Sequence, residues 1–235
     1  MSTRRLTALI AGAAVLASGA AFAGGSIAGT VTFSGTPPKP QKLNRKSDPI
    51  CAKKEMNDET ILIGKDGKAL ENVMVRVTKG ASAAAAKAPA EDVLVDQKDC
   101  MYRPRVQGAV EGQKIKVRND DGTLHNVHTY EGTKTLFNQA QPPGSAPIEK
   151  PIPKTAEVVK LKCDVHPWMI GYVVVNKNPY FAVTKDDGKF EIKDVPAGTY
   201  TVEAWHEKLG TKTQEVTVTE GKASPAKFDF SDKKS

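Results

Sequence analysis

Apolar and polar residues alternate with a period of two along most of the chain, the signature of half-buried strands. SIAGTVTF (26–33) puts Ile27, Gly29, Val31 and Phe33 on one face, and ENVMVRVTK (71–79) groups Val73, Val75 and Val77. QKIKVRN (113–119) offers Ile115 and Val117, and EVVKLKC (157–163) aligns Val159, Leu161 and Cys163. GKFEIKDVPAGTYTVEAW (188–205) reads as a hairpin, with Phe190 and Ile192 on one arm and Tyr200, Val202 and Ala204 on the other. Trp205 falls on the polar face with Thr201 and Glu203, which predicts a covering partner in the central part of the chain. Asp66-Gly67, Asp187-Gly188 and Pro196-Ala-Gly198 mark turns. No helical period stands out beyond the N-terminus, so the predicted class is all-β.

Two marks interrupt this pattern. ASAAAAKAPA (81–90) is Ala-rich and reads as a linker, and NKNPY (176–180) is a second, weaker boundary. The flanks they leave, GSIAGTVTFSG with DGKALENVMVRVTKG and FAVTKDDGKFEIKDVPAGTYTVEAW, resemble the carboxypeptidase regulatory-like family. That family is a small transthyretin-like β-sandwich. Neither half has enough strands to bury a core alone. The expectation is one discontinuous sandwich from 24–80 and 178–230, with a domain at 91–177 inserted in a surface loop.

The first residues change the setting. MSTRRLTALIAGAAVLASGAAFAGG has a positive start at Arg4 and Arg5, an apolar run, and Ala21-Phe22-Ala23 as a small-residue cleavage site. Residues 1–23 are expected to be an export signal cleaved after Ala23, which places the protein in the periplasm or outside the cell. No second apolar stretch predicts a membrane span. The formal net charge is +7. Basic residues are thinly spread and do not alternate with aromatics, which argues against nucleic acid as a partner.

Export bears on the three cysteines. An oxidising compartment favours pairing and leaves one thiol over. Cys163 lies among other candidate ligands, so Cys51 is expected to pair with Cys100. The alternative is three reduced thiols.

Cys163 opens CDVHPWM (163–169), which also holds His166 and Met169. A blue copper site takes two imidazoles and a thiolate near one plane, with a weak, long axial thioether. A Cys-x2-His-x2-Met loop can turn three such groups toward one ion, and the fourth must come from a neighbouring strand. LHNVHTY offers His125 and His128. His125 shares a face with Val127 and is the inward candidate; His128 points the other way. His206 has no ligand type near it in sequence and reads as structural.

Taken in order, PAEDVLVDQKDCMYRPRVQGAVEGQKIKVRNDDGTLHNVHTY and CDVHPWMIGYVVV resemble the cupredoxin family, in its amicyanin/plastocyanin-like branch. The resemblance implies a Greek-key β-barrel or sandwich with one type 1 copper ion. His125, Cys163 and His166 would be equatorial and Met169 axial. Asn126 would tie the two ligand loops together. Val165 stands where amicyanins have proline and adds an N–H that can donate to the sulfur. The electron would pass through an exposed edge of His166, ringed by Pro167 and Trp168 as a docking face. A c-type cytochrome or a dehydrogenase would be the redox partner, and the chain would not itself be an enzyme. After four-ligand use, too few histidines remain for a second catalytic copper. A binuclear centre would need two cysteines in the loop. Two rival readings are a copper carrier without redox traffic and a structural β protein with a vestigial site.

Overall fold

The computed structural model describes residues 24–81 and 89–232. The expected export signal and most of the Ala-rich stretch lie outside them. The described chain is all-β, and its one helical element is a single turn at Cys51–Lys53. The strands are β1 Gly25–Ser34, β2 Met74–Lys79, β3 Val93–Lys98, β4 Met101–Arg103, β5 Val106–Val110, β6 Lys114–Asn119, β7 His125–Glu131 and β8 Lys134–Gln141. They continue with β9 Ile148–Pro151, β10 Val158–Lys162, β11 Ile170–Asn176, β12 Phe181–Val183, β13 Lys189–Val195, β14 Gly198–His206, β15 Gly210–Val218 and β16 Ala223–Ser231.

They form two sandwiches with separate cores. In the first, a sheet ordered β13-β1-β16 faces one ordered β12-β2-β14-β15. The alternation read in β1 and β2 is the reason: Ile27, Val31, Phe33, Val73, Val75 and Val77 fill the space between the sheets with Ile192, Val202 and Phe230. Each such side chain taken from water contributes about 1.5–3 kcal/mol. β1 runs parallel to β16, and a Cβ on Gly29 would lie 1.6 Å from the Ala226 carbonyl oxygen, so only glycine fits there. In the second sandwich a sheet ordered β5-β11-β10-β7-β8 faces one ordered β4-β3-β6-β9. The long-range pairings β6–β9 and β7–β10 are Greek-key connections. Val95, Val117, Val127, Leu161 and Val173 are among its core residues.

The expected hairpin at 188–205 is not one. β13 pairs with β1, whereas β14 pairs with β2 and β15. The two arms enter opposite sheets and face each other across the core. Alternation reports only that each arm has a buried face, which hairpin and arch share. The Tyr200 hydroxyl donates to the Pro196 carbonyl (2.8 Å) and fastens the arch.

A third cluster joins the sandwiches. Met74 lies on the face of β2 opposite Val73 and Val75, and is equally buried. It packs with Val106 and Val174 against Tyr172, Phe181 and Trp205. Trp205 meets Tyr172 edge-on, with centroids 5.5 Å apart, so the covering partner expected for it is there. A Cβ on Gly108 would stand 2.2 Å from the Phe181 ring, so glycine is needed for this contact too. Arg105 and Glu207 form an ion pair that is 4% and 6% exposed. NKNPY is a structured corner: Asn176 donates to the Ala109 carbonyl (3.0 Å) and Asn178 to that of Val77 (2.9 Å).

His206 is structural, as read. It is buried, and its Nδ1 accepts the N–H groups of Lys208 (3.1 Å) and Leu209 (3.2 Å). Burial, helped by the positive Arg105, pulls its pKa from 6.5 down to about 4. A base depressed in the folded state takes up protons more readily when unfolded. Stability is therefore complete above 6.5 and is lost as pH falls toward about 4. From about pH 7 to about pH 5 this one group should remove roughly 2 kcal/mol. Urea unfolding should show that loss shrinking in His206→Asn, whose amide oxygen can accept the same N–H groups. Equal losses in the two proteins would refute the assignment.

Candidate metal centre

The centre sits at one end of the second sandwich, where β7 begins and β10 ends. His125 is the first residue of β7, and its inward face continues with the buried Val127. β10 delivers Cys163, and the loop to β11 returns within seven residues. Two backbone bonds close that loop: Cys163 N–H to the Met169 carbonyl (3.2 Å) and Met169 N–H to the His166 carbonyl (2.9 Å). They turn His166 back over the cysteine, and its N–H reaches Cys163 Sγ at 3.4 Å. From below, the buried Tyr102 hydroxyl donates to the carbonyls of Asn126 (2.7 Å) and Lys162 (3.3 Å), joining the two ligand strands.

The expected ligands converge. His125 Nδ1 lies 2.9 Å from His166 Nδ1, and Cys163 Sγ is 3.9 Å from the latter. One donor atom from each of the three lies within 4.8 Å of the others. Cys163 and Met169 are fully buried in the same core. Each imidazole is held from outside by a carboxylate. His125 Nε2 donates to Asp121 Oδ2 (3.0 Å), and His166 Nε2 donates to Asp48 Oδ2 (3.1 Å). A ring that donates through Nε2 presents a bare lone pair at Nδ1. Two such lone pairs at 2.9 Å in a water-excluded pocket need a cation or a proton between them. The donor set of two imidazoles and a thiol, with Met169 in the same core, suits copper and not a hard ion such as calcium or magnesium.

The surroundings ease ionisation of the thiol. Burial resists ionisation of Cys163, but the His125 ring and the N–H groups of Asn126, His166 and Val165 outweigh it and hold the pKa below the usual thiol value. In the bonding geometry it is the His166 N–H that reaches the sulfur (3.4 Å), whereas the Val165 N–H expected there lies 3.4 Å from Asn126 Oδ1. Burial also resists charge on His125, yet Asp121 and the thiol overcome it and raise that pKa. His166 goes the other way, because burial and the neighbouring His125 ring outweigh the help from Asp48.

Asn126 bonds across to the loop that follows Cys163. Its Oδ1 accepts the Asp164 N–H (2.6 Å), and its Nδ2 donates to Asn138 (2.7 Å) and to the Asp164 carboxylate (3.0 Å). His128 lies on the other face, stacked on Tyr130 and bonded to Asp164 (2.9 Å) and Thr135 (2.9 Å). The Cys51–Cys100 disulfide is formed and Cys163 is free.

One expectation is overturned. His166 has no exposed edge: it is 1% accessible. The stretch 42–60, which lies between β1 and β2 in sequence, folds over it. Asp48 and Cys51 Sγ (3.7 Å) cover its Nε2. Trp168 is half-buried and not an open contact, since its indole N–H donates to the Cys100 carbonyl (3.1 Å) and Arg45 lies over its ring. Pro167 remains exposed. Sequence reasoning missed both carboxylates. Asp121 could have been suspected from its place four residues before His125, but Asp48 is 118 residues from its partner.

Residues 171–231 match the model of the carboxypeptidase regulatory-like domain. No curated protein matches the sequence. Among solved structures, the chain is similar to a purple cupredoxin from Nitrosopumilus maritimus, with 25% identity over 36% of this chain and all of that one, at a TM-score of 0.32. An amicyanin from Paracoccus versutus matches with 23% identity over 43% of this chain and 97% of that one, TM-score 0.32. A copper-containing nitrite reductase from Thermus scotoductus matches with 20% identity over 43% of this chain but only 25% of that one, TM-score 0.33.

The Asn126 bonds are testable without metal. Asn126→Ala strands the Asp164 N–H and should destabilise the metal-free protein by about 1–3 kcal/mol in chemical denaturation. Native-state reaction of Cys163 with a thiol reagent should quicken as the loop loosens. A stability change within error and an unchanged thiol rate would show that Asn126 does not hold the loops.

Proposed function

We propose that this chain is an exported, non-enzymatic copper protein that passes single electrons. Its ligands are His125, Cys163 and His166 as the strong donors and Met169 as the weak one. The observation behind this reading is the convergence of two imidazole Nδ1 atoms beside a buried, free cysteine. Copper bound there would supply a one-electron couple and a thiolate-to-metal charge-transfer band. The residues hold fixed positions: both imidazoles are pinned by carboxylates and the loop by backbone bonds, so a change of charge meets little rearrangement.

In this reading the unit 91–177 is a metal-binding domain inserted in a sandwich made by 24–80 and 178–230. The redox partner is a c-type cytochrome or a dehydrogenase. With His166 covered, docking shifts to the exposed rim. Pro167 and Val165 belong to it, as do Leu124 beside His125 and Ile50 beside Cys51. Small apolar surfaces of this kind suit brief encounters. The same cover favours a second reading, a protein that retains copper without redox traffic, because it shields the ligand edge nearest the surface.

Titration of the metal-free protein with Cu(II), followed in the visible range, tests the first reading. It should give an intense charge-transfer band at one ion per chain. Cys163→Ser should abolish the band. Met169→Leu should keep it and raise the reduction potential, because loss of a donor destabilises Cu(II) more than Cu(I). Binding without colour would favour the retention reading, and no binding would refute both.

A further inference from the structure

The flanking sandwich has no part in the ligand set, yet a segment between two of its strands reaches the centre. Residues 42–60 leave after β1 and return before β2. Leu43 N–H bonds to the Met56 carbonyl (2.9 Å) and Asp58 N–H to that of Gln41 (2.7 Å), so the segment folds back on itself. Its tip lies on the second sandwich and is attached at several points. Cys51 is bonded to Cys100 and sits in that sandwich's core. Lys54 pairs with Asp99 (2.6 Å), Glu59 pairs with Arg103 (2.7 Å), and the buried Arg45 reaches the Asp99 carbonyl.

These anchors converge on one carboxylate. Asp48 Oδ1 accepts the N–H groups of Ile50 (2.7 Å) and Cys51 (3.0 Å), which fixes its rotamer. Oδ2 is left to accept from Thr123 Oγ1 (2.6 Å) and His166 Nε2 (3.1 Å). Thr123 precedes His125 by two residues, so Asp48 bridges the approaches to both candidate ligands.

We infer that Asp48 is a positioning residue for His166, supplied by the flanking sandwich on a disulfide-anchored loop, and that it sets the orientation and basicity of that imidazole as a copper ligand. A carboxylate on the outer nitrogen fixes the tautomer and ring plane and strengthens the inner nitrogen as a donor. It also adds a negative charge that favours Cu(II) over Cu(I). This gives the appended sandwich a role at the centre. The inference rests on the copper reading of the site.

Asp48→Asn separates positioning from folding. The amide oxygen can keep the Ile50 and Cys51 N–H bonds, while the amide nitrogen replaces Oδ2 and cannot accept from His166. In the full chain with its disulfide intact, this variant should bind Cu(II) roughly 10- to 100-fold more weakly. Its potential should be higher than the wild type's, and added imidazole should perturb its charge-transfer band. Asp48→Glu should recover part of each effect. In the Cu(I)-loaded wild type, nitrogen-edited NMR should show a slowly exchanging, strongly downfield Nε2 proton on His166. A variant matching the wild type in affinity and potential, or a rapidly exchanging Nε2 proton, would overturn the inference. A wild type that binds copper without the band, or not at all, would instead overturn the reading on which it rests.

Discussion

Two imidazoles and a thiol sit where the apolar core of a β-sandwich ends, with almost no access to water. That placement is the constraint on which the rest of the structure depends. Buried polar groups must find partners or lose more than a hydrogen bond is worth. Each imidazole has two nitrogens to satisfy. The inner nitrogens face each other and the sulfur, so the outer ones need acceptors from elsewhere. Asp121 serves one from the turn before β7, and Asp48 serves the other from a loop far away in sequence. The anchors of that loop follow from the same need. A carboxylate brought by a loose segment would pay too much entropy to hold one geometry. The disulfide spans 49 residues and restricts the unfolded chain by roughly 4 kcal/mol in the chain-entropy account.

The join between the sandwiches has a related logic. β11 is largely buried on both faces and β2 is so at its start, where Val75 points into its own core and Met74 against the other unit. Met74, Val174 and Trp205 make that contact apolar, and the Arg105–Glu207 pair fixes how the units meet. A buried ion pair is weak evidence for stability, but breaking one leaves an uncompensated charge costing about 3–5 kcal/mol. The pair therefore penalises any sliding of one unit over the other. A rigid join also keeps the loop that carries Asp48 in register with the centre.

Much of this was legible in the sequence. Period-two alternation located the inward faces of β1, β2, β6, β10 and β14, and the spacing in CDVHPWM foretold a loop that turns His166 back toward Cys163. The inward choice of His125 over His128 came from the same alternation. What was not legible depends on contacts between distant segments. Alternation could not tell that β13 and β14 enter opposite sheets, because both geometries bury the same residues. Met74, opposite Val73 and Val75, stood outside the inward set, because one strand's pattern says nothing about a second unit behind it. The cover on His166 was hidden for the same reason. Arg45 and Asp48, which help to form it, carry no strand pattern, and only the pairing of Cys51 with Cys100 hinted that this stretch crosses to the other unit.

That cover changes what the centre can do. An open imidazole edge lets a partner approach within contact of a ligand, and it also lets water and small anions in. Here Asp48, Cys51 and the half-buried Trp168 occupy that space. If the proposed electron-carrier reading holds, an electron reaching His166 would cross this layer or enter along Cys163 and the exposed Asp164–Val165 stretch beside it. The layer is bonded throughout, from the Asp48 carboxylate to Thr123 and from the Trp168 indole to the Cys100 carbonyl. A redox partner of the kind proposed would meet a surface whose shape is set by both sandwiches. Specificity for that partner would reside as much in the loop from the flanking unit as in the ligand loop itself.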